Sequence, residues 1–309
     1  MKIKKTDKIF LCGHKGMLGS AIYHQLKKKN YKVITENKVK LDLRNKDKVF
    51  KWFKKNKPKM VINAAGRVGG ILVNSKNSIE YFNDNLSIGT NIINASFQFN
   101  VKKLINIGSS CIYPKYSKQP IKEKYLLTGS LEETNEAYAL AKICCAKLCE
   151  YYQKKEKKSF ITVMPTNLYG PNDNYDNFSS HVLAALIKKI HLAKVHNLKK
   201  VILFGDGSPL REFLYVDDAA EAIIKLINKP FKQSIINIGS SKEINILDLA
   251  KLIAKVIGYD IKFVFDKNKP NGTPRKLLDS TRMNKIGWKS KTTLQKGIKL
   301  AYQDFLKIN

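Results

Sequence analysis

The sequence predicts an α/β protein built on a doubly wound parallel sheet, with a smaller α/β lobe interleaved toward the C-terminus. Three observations carry that expectation. Short Ile- and Val-rich runs alternate with longer amphipathic segments through the first half, as parallel strands joined by crossover helices require. A glycine-spaced turn follows the first of these runs. Beyond Pro165 the chain becomes loop-like before apolar runs resume, with no internal repeat and no low-complexity linker, so the second lobe is interleaved rather than tethered.

Taken in order, "KIFLC" (8–12) is the first strand and "SAIYHQLKKKN" (20–30) the helix after the turn. "YKVIT" (31–35) and "KMVINAAG" (59–66) read as the next two strands. A helix over 83–100 leads to the strand "KKLINIGSS" (102–110), and another over 135–155 leads to "FITVMPTN" (160–167). "NLYGPNDNYDNFSS" (167–180) reads as a loop, followed by a helix from about His181. The strand "KKVILFGDG", a helix from Asp217, the strand "SIINIGS", and helices near "NILDLAKLIAKVIG" and the C-terminus complete the chain.

Composition narrows the functional classes. The 309 residues, 43% of them hydrophobic, suffice for a large core without covalent staples. No apolar run approaches the roughly 20 residues that span a bilayer, and the basic N-terminus passes straight into a strand without a leader-like apolar segment. A cytoplasmic protein with no membrane partner is expected. The formal charge of +32 raises nucleic-acid binding. Against it, only five of the 57 basic residues are arginine, the residue suited to bidentate readout, and the lysines are spread along the whole chain. No nucleic-acid partner is therefore expected, although small anionic ligands would be attracted. Cys12, Cys111, Cys144, Cys145 and Cys149 form no CxxC pair and have no His at ligand spacing, which points to reduced thiols and no metal site.

Directly after the first strand comes Gly13-His14-Lys15-Gly16-Met17-Leu18-Gly19, a G-x-x-G-x-x-G spacing that opens a helix. Glycines there allow a tight turn and a close backbone approach to a pyrophosphate, while the helix N-terminus supplies N–H donors. A nucleotide cofactor on a Rossmann-type domain follows. Which one is left open by these residues: Glu36, near the end of the second strand, suits a ribose with free hydroxyls, whereas Lys15 and Lys38 suit a 2′-phosphate.

Tyr138 and Lys142 lie four positions apart on the helix over 135–155 and so share a face. An ammonium beside a phenol is expected to favour the phenolate. Ser109, at the C-terminal end of a parallel strand, sits where open α/β sheets place their ligands. The three suit ketone reduction, with Tyr138 giving the proton, Ser109 polarising the carbonyl and Lys142 reaching the cofactor ribose. Cys111, two residues beyond Ser109 on an extended segment, would face the same way.

The chain resembles the extended short-chain dehydrogenase/reductase family over nearly its whole length. Within that family it is most similar to the GDP-sugar 3,5-epimerase-4-reductases, which turn GDP-4-keto-6-deoxy-D-mannose into GDP-L-fucose with NADPH. The likeness runs through "GHKGMLGSAI", "VGGI", "GSSCIYP", "KQPIKE", "YALAK", "LCE", "VMPTNLYGPNDN", "SHV", "REFLYVDD" and "KPNGTPRKLLD". The resemblance implies NADP(H) as cofactor, a GDP-sugar substrate and a homodimer formed through the helices around 80–100 and 136–158. It implies that Cys111 and His181 exchange protons at C3 and C5, and that Pro165, Thr166, Asn167 and Leu168 border the nicotinamide. Arg211 matches a substrate-binding arginine. Lys189, Phe204 and Asn271 stand where the family has a substrate-binding Arg, a Trp and an Asp, so the charge persists at the first position and is lost at the third. Residues 1–165 are then the NADP-binding domain, to which about 212–240 return, and 166–309 are mainly a substrate lobe.

Overall fold

The structure is a computed structural model and describes residues 2–308. In chain order the first half contains β1 (Ile9–Cys12), α1 (Met17–Lys28), β2 (Val33–Ile34), α2 (Lys46–Asn56), β3 (Met60–Asn63), α3 (Ile71–Lys76), α4 (Ser78–Gln98), β4 (Lys103–Ile107), α5 (Glu136–Glu156) and β5 (Ser159–Pro165). The second half adds β6 (Asn167–Tyr169), α6 (Val182–Val195), β7 (Lys200–Phe204), β8 (Leu210–Tyr215), α7 (Val216–Leu226), β9 (Ile235–Ile238) and β10 (Glu243–Asn245). It ends with α8 (Ile246–Ile257), β11 (Lys262–Asp266), β12 (Arg275–Lys276), α9 (Thr281–Lys285) and α10 (Leu294–Ile308).

Six parallel strands in the order β2-β1-β3-β4-β5-β9 form the large sheet. β1, β3, β4 and β9 are buried along their full length, which is why they read as continuous apolar runs rather than alternating ones. One face carries α1 and α7, whose Ile22, Leu26, Ala219 and Ile223 pack on Ile9, Leu11 and Ile62. The other carries α2, α4 and α5, with Val49, Phe53, Ile92 and Cys149 around Phe10 and Val61. The doubly wound parallel sheet is as the sequence predicts. Strand order reverses between β1 and β3, and the glycine turn after β1 opens beside that switch point.

The second lobe is a small sheet centred on β8. β10 pairs with it antiparallel and β12 and β6 parallel, while β7 and β11 form a separate parallel pair. α6, α8 and α10 enclose its core through Leu183, Ile187, Ile253 and Phe305. The chain re-enters the large layer at α7 and β9.

Several elements differ from the sequence reading. Residues 167–169 are a strand, not loop, because β8 offers them a parallel partner. α2, whose N-terminal Lys48 N–H is capped by Asn45 Oδ1 at 2.9 Å, β8 and the edge strands β10, β11 and β12 were not expected. β10 and β12 are three and two residues long, too short for any period to register.

Candidate active site

The turn between β1 and α1 is built as a cradle. Gly13 has φ +74°, and a Cβ there would lie 2.6 Å from the Ala64 carbonyl oxygen. A Cβ on Gly19 would collide with the carbonyl oxygen of Gly13. Gly16 occupies the position before α1 and brings no capping side chain, so the first N–H groups of the helix are left to an anion. A dinucleotide pyrophosphate fits this cradle. Met17 and Leu18 are half-buried in the first turn of α1, and Lys15 is exposed. His14 feels Lys15 and Glu36 together, and burial with the charge of Lys15 pulls its pKa down. Lys38 is exposed.

Pro165 to Leu168 lie at the same edge of the sheet, at the end of β5, with β3 and β4 between them and the glycine turn. Thr166 Oγ1 (3.1 Å) and Asn167 Nδ2 (2.8 Å) both donate to the carbonyl oxygen of Glu212. Their side chains therefore join the large sheet to β8.

At the end of β4 the chain does not stay extended, as the sequence reading assumed. Ser110–Ile112 make a single tight helical turn, and Ser109 Oγ accepts the N–H of Cys111 at 3.2 Å. That turn, rather than strand alternation, aims Cys111. Tyr138, buried on α5, interacts with the side chain of Ser109 and senses the charge of Cys111. Lys142, one helical turn further, lies 5.6 Å from the centre of the Tyr138 ring and donates to the Ile107 carbonyl oxygen at 3.2 Å. The expectation that Lys142 lowers the phenol pKa is not met. Burial, reinforced by Cys111, pushes Tyr138 up, and burial pulls Lys142 down. The tyrosine is thus held in its proton-carrying form.

Opposite stands the second lobe. Lys276, on β12, points its ammonium at Cys111 Sγ, 3.6 Å away. It pairs in register with Arg211 on β8, whose guanidinium is drawn down to about 10 by burial and interacts with both Cys111 and Glu132. His181 precedes α6 and makes no capping bond through its ring. The ring opens to solvent yet has protein packed around it, and that surrounding mass together with Lys276 lowers its pKa. The loop carrying "VGGI" sets its position: Gly70 N–H donates to the Ser179 carbonyl oxygen at 2.9 Å, and a Cβ on Gly70 would lie 2.7 Å from that of Ser180.

The line continues away from Cys111. Arg211 Nη2 donates to the Asn271 carbonyl oxygen at 3.2 Å, and Asn271 Oδ1 accepts the Asp206 N–H at 3.1 Å. Lys189 lies over the Phe204 ring at 4.4 Å and donates to the Ile202 carbonyl oxygen at 3.2 Å. Polar contacts and strand pairing thus run from Ser109, Cys111 and Tyr138 through Lys276 and Arg211 to Asn271, with Phe204 on the neighbouring strand pair and Lys189, on α6, over its ring. Lys276, Glu132 and Glu212 were not singled out from sequence, although Lys276 stands inside "KPNGTPRKLLD" and Glu212 inside "REFLYVDD".

A family model described as NAD dependent epimerase/dehydratase family matches residues 9–239. A GDP-L-fucose synthase of Sinorhizobium fredii is 47% identical over 306 residues, covering 99% of this chain and 98% of that protein. Among solved structures, a GDP-6-OMe-4-keto-L-xylo-heptose reductase from C. jejuni superposes with a TM-score of 0.93 at 32% identity, each chain covered in full. A GDP-L-fucose synthetase from Naegleria fowleri bound to NADP gives 0.89 at 31% identity, covering 99% of this chain and 95% of that one.

Proposed function

The chain belongs to the NAD dependent epimerase/dehydratase family, and from that premise we propose that it converts GDP-4-keto-6-deoxy-D-mannose to GDP-L-fucose, inverting C3 and C5 and then reducing the C4 ketone with NADPH. The observation that carries this reading is the meeting of two sets of groups at the end of β4. Ser109 and Tyr138 suit ketone reduction, and Cys111, on the turn that Ser109 caps, interacts electrostatically with Tyr138.

Bound along the glycine turn, NADPH supplies the hydride delivered to C4. Gly13 to Gly19 admit its pyrophosphate to the N-terminus of α1, and Pro165, Thr166, Asn167 and Leu168 close the sheet edge beside the nicotinamide. Lys15 and Lys38 would hold the ribose 2′-phosphate despite the nearby Glu36. Tyr138 protonates the oxygen at C4, Ser109 hydrogen-bonds it, and Lys142 reaches the ribose. Before reduction the ketone acidifies the hydrogens on both neighbouring carbons, and Cys111 and His181 take and return those protons. Arg211 pairs with the diphosphate, and Lys189, Phe204 and Asn271 hold the nucleotide end.

A second reading draws on the heptose reductase superposition: a GDP-4-keto-heptose substrate reduced with or without inversion. Turnover of GDP-4-keto-6-deoxy-D-mannose with NADPH, followed by loss of NADPH absorbance and by product identification, separates the two. GDP-L-fucose as product supports the first reading. Reduction without inversion, or turnover confined to heptose substrates, supports the second.

Two further outcomes are expected. Gly70→Ala pushes on the Ser180 carbonyl and displaces His181, so proton exchange should slow roughly ten- to a hundredfold while cofactor affinity is unchanged; isotope exchange and fluorescence titration measure the two. We also place the enzyme in the cytoplasm as a homodimer. Ile79 on α4 and Leu140 and Tyr151 on α5 are exposed apolar side chains that a second copy would cover, and light scattering on the purified protein reads the mass directly.

A further inference from the structure

We propose that Lys276 is a working member of the proton-exchange site, its ammonium stabilising the Cys111 thiolate that removes a proton beside the ketone. The proposal deepens the function given above and rests on it for the substrate, but not for the behaviour of the thiol.

Lys276 Nζ lies 3.6 Å from Cys111 Sγ, and among the described residues it forms no ion pair with a carboxylate. Glu132, the acid lining the same cleft, accepts instead from Thr134 Oγ1 (2.5 Å) and Asn135 Nδ2 (3.1 Å). The ammonium is therefore aimed at sulfur while the neighbouring carboxylate is engaged elsewhere.

The segment that carries it is pinned on every side. Gln119 Nε2 donates to the Arg275 carbonyl oxygen at 3.1 Å, and Gln119 Oε1 accepts the Leu277 N–H at 3.0 Å, bracketing Lys276. Ile121 N–H donates to the Leu277 carbonyl oxygen at 2.7 Å, and Asp279 N–H to that of Ile121 at 2.9 Å. The fully buried Glu212 accepts the Leu278 N–H at 2.9 Å and the Ser241 N–H at 2.6 Å. Arg275 grips Glu243 with contacts of 2.7 to 3.1 Å. A solvated lysine on a surface strand needs none of these restraints. Held this way, it is a preorganised charge.

The chemistry uses such a charge. As the thiolate takes a proton, the C–H bond breaks, an S–H bond forms, and the electron pair moves onto the C4 oxygen as enolate. Protonated His181 then gives a proton to the same carbon from the opposite face, its N–H bond breaking as the C–H bond forms, and the electron pair re-forms the ketone. Lys276 transfers no proton; it offsets the negative charge that sits on sulfur before removal.

The test starts without substrate. Alkylation of Cys111 by iodoacetamide at neutral pH is followed by peptide mass spectrometry, with the exposed Cys144 as internal reference. Lys276→Met, which keeps the aliphatic stem, should slow Cys111 roughly tenfold and leave Cys144 unchanged. Lys276→Arg should restore most of the rate, and Gln119→Ala, outside the site, should slow it partially. In the full reaction Lys276→Met should lose solvent-deuterium exchange more than it raises KM. Unchanged Cys111 alkylation in Lys276→Met, or an effect confined to KM, overturns the proposal and leaves Lys276 as a diphosphate contact. Normal thiol effects with no turnover of GDP-4-keto-6-deoxy-D-mannose by the unmodified enzyme would instead overturn the substrate assignment.

Discussion

Replacing Tyr138 by phenylalanine is expected to lower C4 reduction by about 10²–10⁴-fold while deuterium exchange at C3 and C5 continues. In the proposed mechanism the phenol, beside Ser109, is the group that hands a proton to the C4 oxygen. Burial holds it protonated, and Ser109 interacts with it. The change removes one hydroxyl from a side chain that otherwise packs identically, so the fold is preserved. Lys142 remains bonded to the Ile107 carbonyl oxygen and cannot take over the role. Single-turnover NADPH oxidation measures the reduction step, and NMR of substrate recovered from deuterated water measures the exchange. Loss of both activities together would show that Tyr138 also serves proton exchange.

The second large effect belongs to Cys111→Ala. Exchange at the carbons flanking the ketone should fall by at least about a hundredfold, and the reduced product should keep the configuration of the substrate at C3 and C5. The residue is small and half-buried, and its N–H bond to Ser109 Oγ does not depend on the side chain. Ser109 and Tyr138 therefore stay in place for reduction. NADPH oxidation with an unepimerised product is the expected signature, read by NMR coupling constants of the sugar ring. Full inversion in this variant would remove Cys111 from the mechanism.

What the sequence showed and what it hid have physical causes. The large sheet was legible because β1, β3, β4 and β9 are buried on both faces and leave unbroken apolar runs, and because Gly13, Gly16 and Gly19 mark the first crossover. The glycine triad and the i,i+4 pair Tyr138 and Lys142 are local patterns, so spacing alone places them. The second lobe was less legible, since β6, β10 and β12 are two or three residues long and exist only through pairing with β8. Cys111 joins Ser109 and Tyr138 as expected, but by a route spacing did not show, because a tight turn replaces the extended segment after Ser109. Lys276 could not be seen at all from spacing: it lies 165 positions from Cys111, and the pairing of β12 with β8 and the bonds to Gln119, Ile121 and Glu212 bring the two together. The phenol pKa was read with the wrong sign because four-residue spacing reports the proximity of Lys142 but not the burial of both groups.

The central claim is that one cleft runs proton exchange and reduction in turn. Its most direct measurement is the isotope content of the product formed from GDP-4-keto-6-deoxy-D-mannose and NADPH in deuterated water. The account predicts GDP-L-fucose carrying deuterium at both C3 and C5, with C4 labelled only when deuterated cofactor is supplied. NADPH oxidation giving a product without deuterium at C3 and C5 would contradict it, leaving a C4 reductase in which Cys111 and His181 exchange nothing.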